Sequence, residues 1–195
     1  EFAKTMWAGL WTTGFDAQEI LDGLYLGSVD AASDLEELKK RNISHILTAA
    51  HDIDPKFSSE IEYLIVQVDD WPAANLLHSF DVCIEYIDKV RSQKGSVLVH
   101  CQAGISRSTT VVCAYLMKTQ NMKFDEALKF IQEKRKFVSP NHGFRSQLKL
   151  FERLGHNLAQ ELMAETIAED DKQTLKTLQA KKPPIERWSG GQRTP

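Results

Sequence analysis

The chain has 195 residues, 42% of them hydrophobic and 26% charged, with a net charge of −3 at pH 7. That is enough apolar material for one buried core and too little positive charge for a nucleic-acid or anionic-membrane surface, so any anion chemistry must be local. Three cysteines exclude a disulfide scaffold, no Cys/His cluster has zinc spacing, and no apolar run is long enough to cross a membrane; a reducing setting, cytoplasm or nucleus, is expected.

In chain order, residues 1–18 read as a lead-in, with "EFAKT" before Met6 as a cloning remnant and "MWAGLWTTGFDAQ" as an aromatic-rich segment packed on the domain. "EILDGLYLGS" alternates apolar residues around Asp22-Gly23, a hairpin signal. "DAASDLEELKKR" predicts a short helix capped at Asp30 or Ser33, with Leu35 and Leu38 on one face. "SHILTAA" and "EYLIVQV" are brief apolar runs suited to buried strands. Leu77, Phe80, Ile84, Ile87 and Val90 then follow helical spacing up to a break at Lys94-Gly95.

"SVLVH" reads as a strand, and residues 107–120 as an apolar helix that must be buried. "KFDEALKFIQEKRK" is amphipathic, with Phe124, Leu128 and Ile131 inward, and ends before Pro140, which forbids continuation. "HGFRSQLKLFERL" supplies a last core helix through Phe144, Leu148 and Phe151. After Gly155 apolar residues thin out, so a catalytic domain is expected over 19–155 and a polar extension over 156–195. Residues 156–181 read as a mostly polar helix and 182–195 as a flexible tail. Strands alternating with helices predict an α/β fold with a central, mainly parallel sheet flanked by helices.

The chemistry concentrates in "VHCQAGISRS". Residues 101–107 join the C-terminal end of a strand to the N-terminus of a helix, where α/β proteins bind ligands. Gly104 permits close backbone approach, so several N–H groups can point inward as an anion nest, and Arg107 can add a fork matched to phosphate oxygens. The same field favours a thiolate at Cys101. These residues resemble the His-Cys-x5-Arg-Ser/Thr signature of cysteine-dependent protein phosphatases. With "LYLGSVDAAS" upstream and "SPNHGF" downstream, residues 19–153 resemble the dual-specificity branch, in a small form without a visible docking domain.

The resemblance implies roles. Cys101 attacks phosphorus, and Arg107 with the N–H groups of Gln102, Ala103, Gly104, Ile105, Ser106 and Arg107 holds the phosphoryl oxygens. Ser108 either bonds the leaving sulfur or caps the helix, and His100 either braces the loop or is a satisfied core histidine, in neither case an acid–base catalyst. In "VQVDDWPAANL" the family position selects Asp70 over Asp69 as the acid, against the alternative of two solvated turn aspartates. Asn141 steadies the phosphate loop or caps the next helix. Cys83 and Cys113 read as core. No cofactor or metal is implied.

No Lys-Asn-Arg-Tyr-type loop deepens the cleft, which implies phosphoserine and phosphothreonine substrates as well as phosphotyrosine. Phosphorylated proteins, mitogen-activated protein kinases among them, are the implied partners. The lysine-free loop argues against an inositol lipid. A scaffold that binds phosphoproteins without turnover, or a phosphatase of non-protein phosphomonoesters, are the competing readings. The basic "KRKF" at 134–137 and Lys181-Lys182 read as solvated charge.

Overall fold

The computed structural model describes residues 14–156, 168–179 and 181–194. β1 (Ala17–Leu21) and β2 (Leu24–Gly27) form the expected antiparallel hairpin. Its turn needs Gly23 at φ +71°, where a Cβ would also lie 2.8 Å from Gly95 O. A 3-10 turn at Ala31–Ser33 leads into α1 (Leu35–Lys40). The helix is capped by Asp34, which accepts from Glu37 N, and not by Asp30 or Ser33; the Ser33 hydroxyl donates to Val29 O instead. β3 (Ile43–Ala49) and β4 (Glu62–Val66) follow, and then α2 (Phe80–Ser92), entered through a 3-10 turn at Leu77–Ser79. β5 (Ser96–His100), α3 (Arg107–Gln120), α4 (Phe124–Lys134) and α5 (His142–Arg153) complete the part the apolar pattern anticipates.

The sheet runs β1-β2-β5-β3-β4 and continues into two further strands. β2, β5, β3 and β4 are mutually parallel, with antiparallel pairs confined to the edges. Strand alternation sends Leu47, Leu64, Val66, Val97 and Val99 to the face covered by α2–α5. Ile46, Tyr63, Ile65 and Leu98 go to the other face, under Leu38 and Ala31. Each fully buried Leu or Val contributes about 1.5–3 kcal/mol. Central β5, buried on both faces, therefore anchors what projects from its end: His100 and Cys101.

The C-terminal part departs from expectation. Within 182–195 the chain is not a loose tail: β6 (Ile185–Ser189) pairs antiparallel with β4, from Val66↔Ile185 to Tyr63↔Trp188, and β7 (Gln192–Thr194) pairs with β6. Among the described residues of this segment only Ile185 and Trp188 pack against the apolar clusters, so the composition reads as a tail; the attachment is mainly backbone pairing with the open edge of β4. Before it, α6 (Glu169–Gln179) buries Leu175 in the main core. Residues 157–167 of the predicted polar helix, and residues 1–13 of the lead-in, lie outside the described residues. From the rest of the lead-in, Phe15 packs on the sheet with the Arg41 guanidinium 4.2 Å over its ring.

Candidate active site

Between β5 and α3 the backbone turns inside out, with its carbonyls all held on the outside. Cys101 O accepts from His100 Nδ1 (3.2 Å) and Gln102 O from Val29 N (3.2 Å). Ala103 O and Gly104 O accept from Arg135 Nη2 and Nε (3.2 and 3.0 Å). Ile105 O accepts from Ser139 N and Ser106 O from Thr110 N, both at 2.9 Å. A peptide unit points its N–H opposite its C=O, so tethering these carbonyls outward turns the following N–H groups toward the centre of the loop. Among the described residues, none of the backbone N–H groups of 102–106 donates to a protein acceptor. Gly104 sits at φ +66°, and a Cβ there would fall 2.5 Å from Gly27 O.

Cys101 lies at the base of this loop, 1% exposed, with Sγ 3.2 Å from Ser108 Oγ. Ser108 stands in the first turn of α3, whose positive end faces the sulfur. The N-cap position belongs to Ser106, so Ser108 is not the cap. His100 is buried behind Cys101. A carbonyl can only accept, so Nδ1 carries the hydrogen toward Cys101 O, and Nε2 accepts from Thr48 Oγ1 at 2.8 Å. Burial, helped by the charge of Arg107 and opposed by the bond to Cys101 O, pushes this imidazole down to about 4. At neutral pH it is an uncharged strut.

Arg107 is anchored by Nη1 to Val68 O at 3.2 Å. Its buried Nε makes no hydrogen bond among the described residues and lies 3.6 Å from Asp70 Oδ2. Asp70 leans over the loop: Oδ1 accepts from Ser106 Oγ (2.7 Å) and from Asn141 Nδ2 (2.8 Å). Asp69 is exposed and makes no such contact among the described residues. Asn141 does both things open to it: Oδ1 caps α5 by accepting from Phe144 N at 3.0 Å while Nδ2 holds Asp70. The loop around Asp70 is stapled further by Gln147, whose Oε1 accepts from Leu76 N and Leu77 N (2.8 Å each) and whose Nε2 donates to Ala74 O (2.7 Å).

Gln102 and Ala103 are exposed at the loop's crest, whereas Gly104 and Ser106 are buried and Ile105 is half-buried. One residue was misread from sequence. Within "KRKF", Lys134 and Lys136 are exposed, but Arg135 is 6% exposed and reaches under the loop. Besides the two carbonyls, its guanidinium binds Asp16 (Nη1–Oδ1 2.8 Å, Nη2–Oδ2 3.3 Å) and Gln18. Only a planar five-donor fork serves two carbonyls and a carboxylate at once, which is why this position is arginine among lysines. Thr48, the partner of His100, also escaped the sequence reading.

A loop shaped for a tetrahedral oxyanion around a buried cysteine and a forked arginine defines one class of enzyme, the cysteine-dependent protein phosphatases. Residues 24–154 match the family described as dual specificity phosphatase, catalytic domain, and the chain belongs to that family. It is 47% identical over 134 residues to dual specificity protein phosphatase 1 of Arabidopsis thaliana, covering 69% of this chain and 68% of that one. To dual specificity protein phosphatase 19 of Mus musculus it is 40% identical over 129 residues, 66% of this chain and 59% of the relative. Among solved structures it resembles human tyrosine phosphatase-like serine/threonine/tyrosine-interacting protein (TM-score 0.71, 38% identity, 74% of this chain and 100% of that one). It also resembles DUSP15 (TM-score 0.69, 34% identity, 84% of this chain and 96% of that one).

Proposed function

We propose that this protein hydrolyses phosphotyrosine and phosphoserine or phosphothreonine in proteins through a phosphocysteine intermediate. The observation that carries this reading is the run of outward-tethered carbonyls from Cys101 to Ser106, which presents N–H groups to three equatorial oxygens above Sγ. In the first step Cys101 Sγ bonds to phosphorus as the ester P–O bond breaks, and Asp70 gives its proton to the departing oxygen. In the second, water gives a proton to Asp70 and attacks phosphorus. Sulfur leaves as a thiolate steadied by Ser108 Oγ, and inorganic phosphate is released.

Arg107 links the two halves of the site. Without substrate its Nε lies near Asp70 Oδ2; a bound phosphate dianion takes over the guanidinium and adds negative charge beside Oδ2. Oδ1 is committed to Ser106 and Asn141, so Oδ2 is the oxygen left to carry the proton.

Trp71 (69% exposed) beside Asp70, and Phe137 (46%) close to Ser139, offer apolar walls for residues flanking a phosphorylated side chain. They suit a protein substrate, mitogen-activated protein kinases among the candidates. Three free cysteines fit work in the reducing cytoplasm or nucleus.

The test is a pair of variants. Cys101→Ser should abolish turnover of an aryl phosphate while phosphopeptide binding survives. Asp70→Asn should slow a phosphotyrosine peptide by about 10²–10⁴-fold, with a smaller loss for an ester whose leaving group departs unprotonated. If Asp69→Asn behaves that way and Asp70→Asn does not, the acid is misassigned. Running phosphoserine, phosphothreonine and phosphoinositide substrates beside it sets the substrate class.

A further inference from the structure

The C-terminal extension lies against the loop that carries Asp70, and at two places. Where that loop leaves β4, Gln67 N donates to Pro184 O at 2.9 Å, immediately before β6 begins. Beyond Asp70, α6 faces Pro72 and Ala73 across a cleft lined by Thr174, Thr177 and Leu178. There the buried amide of Asn75 donates from Nδ2 to Leu178 O at 2.6 Å and lies 2.9 Å from His78 Nδ1, while its Oδ1 accepts from His78 N at 3.3 Å. The extension is itself fixed. Leu175 is 3% exposed in the main core, Arg153 grips Asp171 through two bonds (3.0 and 2.7 Å), and β6 is paired along β4. On the opposite side of Pro72 stands α5, with Gly143 against the Pro72 carbonyl.

Asp70 thus lies on a short span tethered at Gln67 and at Asn75 by the same distant segment. Fixing two points so close on either side leaves the carboxyl little room to swing off Ser106. We propose that α6 and β6 act as a positioning element for the general acid, alongside the Gln147 staple from α5, with Asn75 and the Leu178 carbonyl as their tether beyond Asp70. This rests on the assignment of Asp70 as the acid. α6 and β6 lie outside residues 24–154, the part that matches the family. Displacing the extension uncouples proton donation from nucleophilic attack: Cys101 and the phosphate-loop backbone, held by Val29, Arg135 and Ser139, keep their places, and leaving groups that need a proton suffer most.

The test uses the full chain with Leu175→Asp, which drives α6 off the core, and Asn75→Asp, an isosteric change that keeps the acceptor for His78 N and removes the amide donor that faces both Leu178 O and His78 Nδ1. Two substrates are compared, a phosphotyrosine peptide and an aryl phosphate with a strongly acidic phenol. In both variants the peptide kcat should fall about tenfold or more while the acidic phenol ester stays within about twofold. Hydrogen exchange should rise over residues 69–78 and stay unchanged over 96–120. Equal losses on both substrates, or normal peptide turnover with 168–194 exchanging freely, would overturn the proposal. If Leu175→Asp loosens 96–120 as well, Asn75→Asp decides by the same two readouts. Asp70→Asn run alongside separates the failures. If it lacks leaving-group dependence, the acid assignment falls, and exchange over 69–78 still judges the tether.

Discussion

Arg135→Leu removes the guanidinium beneath the phosphate loop and leaves a shorter, apolar side chain. Two loop carbonyls, Ala103 O and Gly104 O, lose their donors, as do Asp16 and Gln18. A buried acceptor left without a partner costs about 1–3 kcal/mol, and a buried ion pair with one member removed about 3–5 kcal/mol. The Asp16 side chain is 18% exposed, so water recovers part of its share, and the expected destabilisation is about 3 kcal/mol in urea melts. Turnover should suffer more than that figure implies. Once released, the two carbonyls are free to rotate, and each rotation takes an N–H away from the oxyanion; about 10²-fold in kcat per lost donor is the scale. Arg135→Lys should restore the charge but not the fork, recovering stability in part and kcat hardly at all. If Arg135→Leu costs under about 1 kcal/mol and kcat is unchanged, the loop holds its shape without this residue and the reasoning fails.

His100 is held at about 4 against an ordinary 6.5. Because the folded-state value lies below the unfolded one, its contribution is complete above about pH 6.5 and is lost as pH falls toward 4, amounting to about 3 kcal/mol. His100→Gln should make stability fall less steeply over that window in pH-dependent melts; an unchanged slope refutes the assignment. Gly143→Ala puts a Cβ 1.9 Å from Pro72 O, so the loop that carries Asp70 must retreat. The helix gains propensity of about 1 kcal/mol from the change, yet the protein should melt lower and lose peptide turnover about tenfold. A higher melting temperature with full activity would show that the loop yields freely.

The strands and helices through residue 154 were legible because each buries a face in the period its geometry requires, and the loop at 101–107 because residue types and spacing both point to anion binding. What escaped was held by the backbone or chosen among equals. Asp30, Ser33 and Asp34 are all competent caps within a few residues, and only the preceding 3-10 turn decides for Asp34. Lys134, Arg135 and Lys136 are adjacent cations at a helix end, and nothing local says which one turns inward. β6 is recruited by main-chain groups on β4, and hydrogen bonding of that kind leaves no apolar signature in the recruited strand.

The hairpin on β4 sets a timetable for biosynthesis. β4 is complete at Val66, but the strand that covers its outer edge starts at Ile185. At about 5–20 residues per second, Cys101 leaves the ribosome on the order of ten seconds before that strand does. Through this interval a nascent chain with Cys101 and its loop already made carries one uncovered rim of hydrogen-bonding groups, with Tyr63, Leu64, Ile65 and Val66 behind it. Neighbouring nascent chains on one message display the same rim at the same stage, so strand capture between siblings competes with closure by each chain's own end.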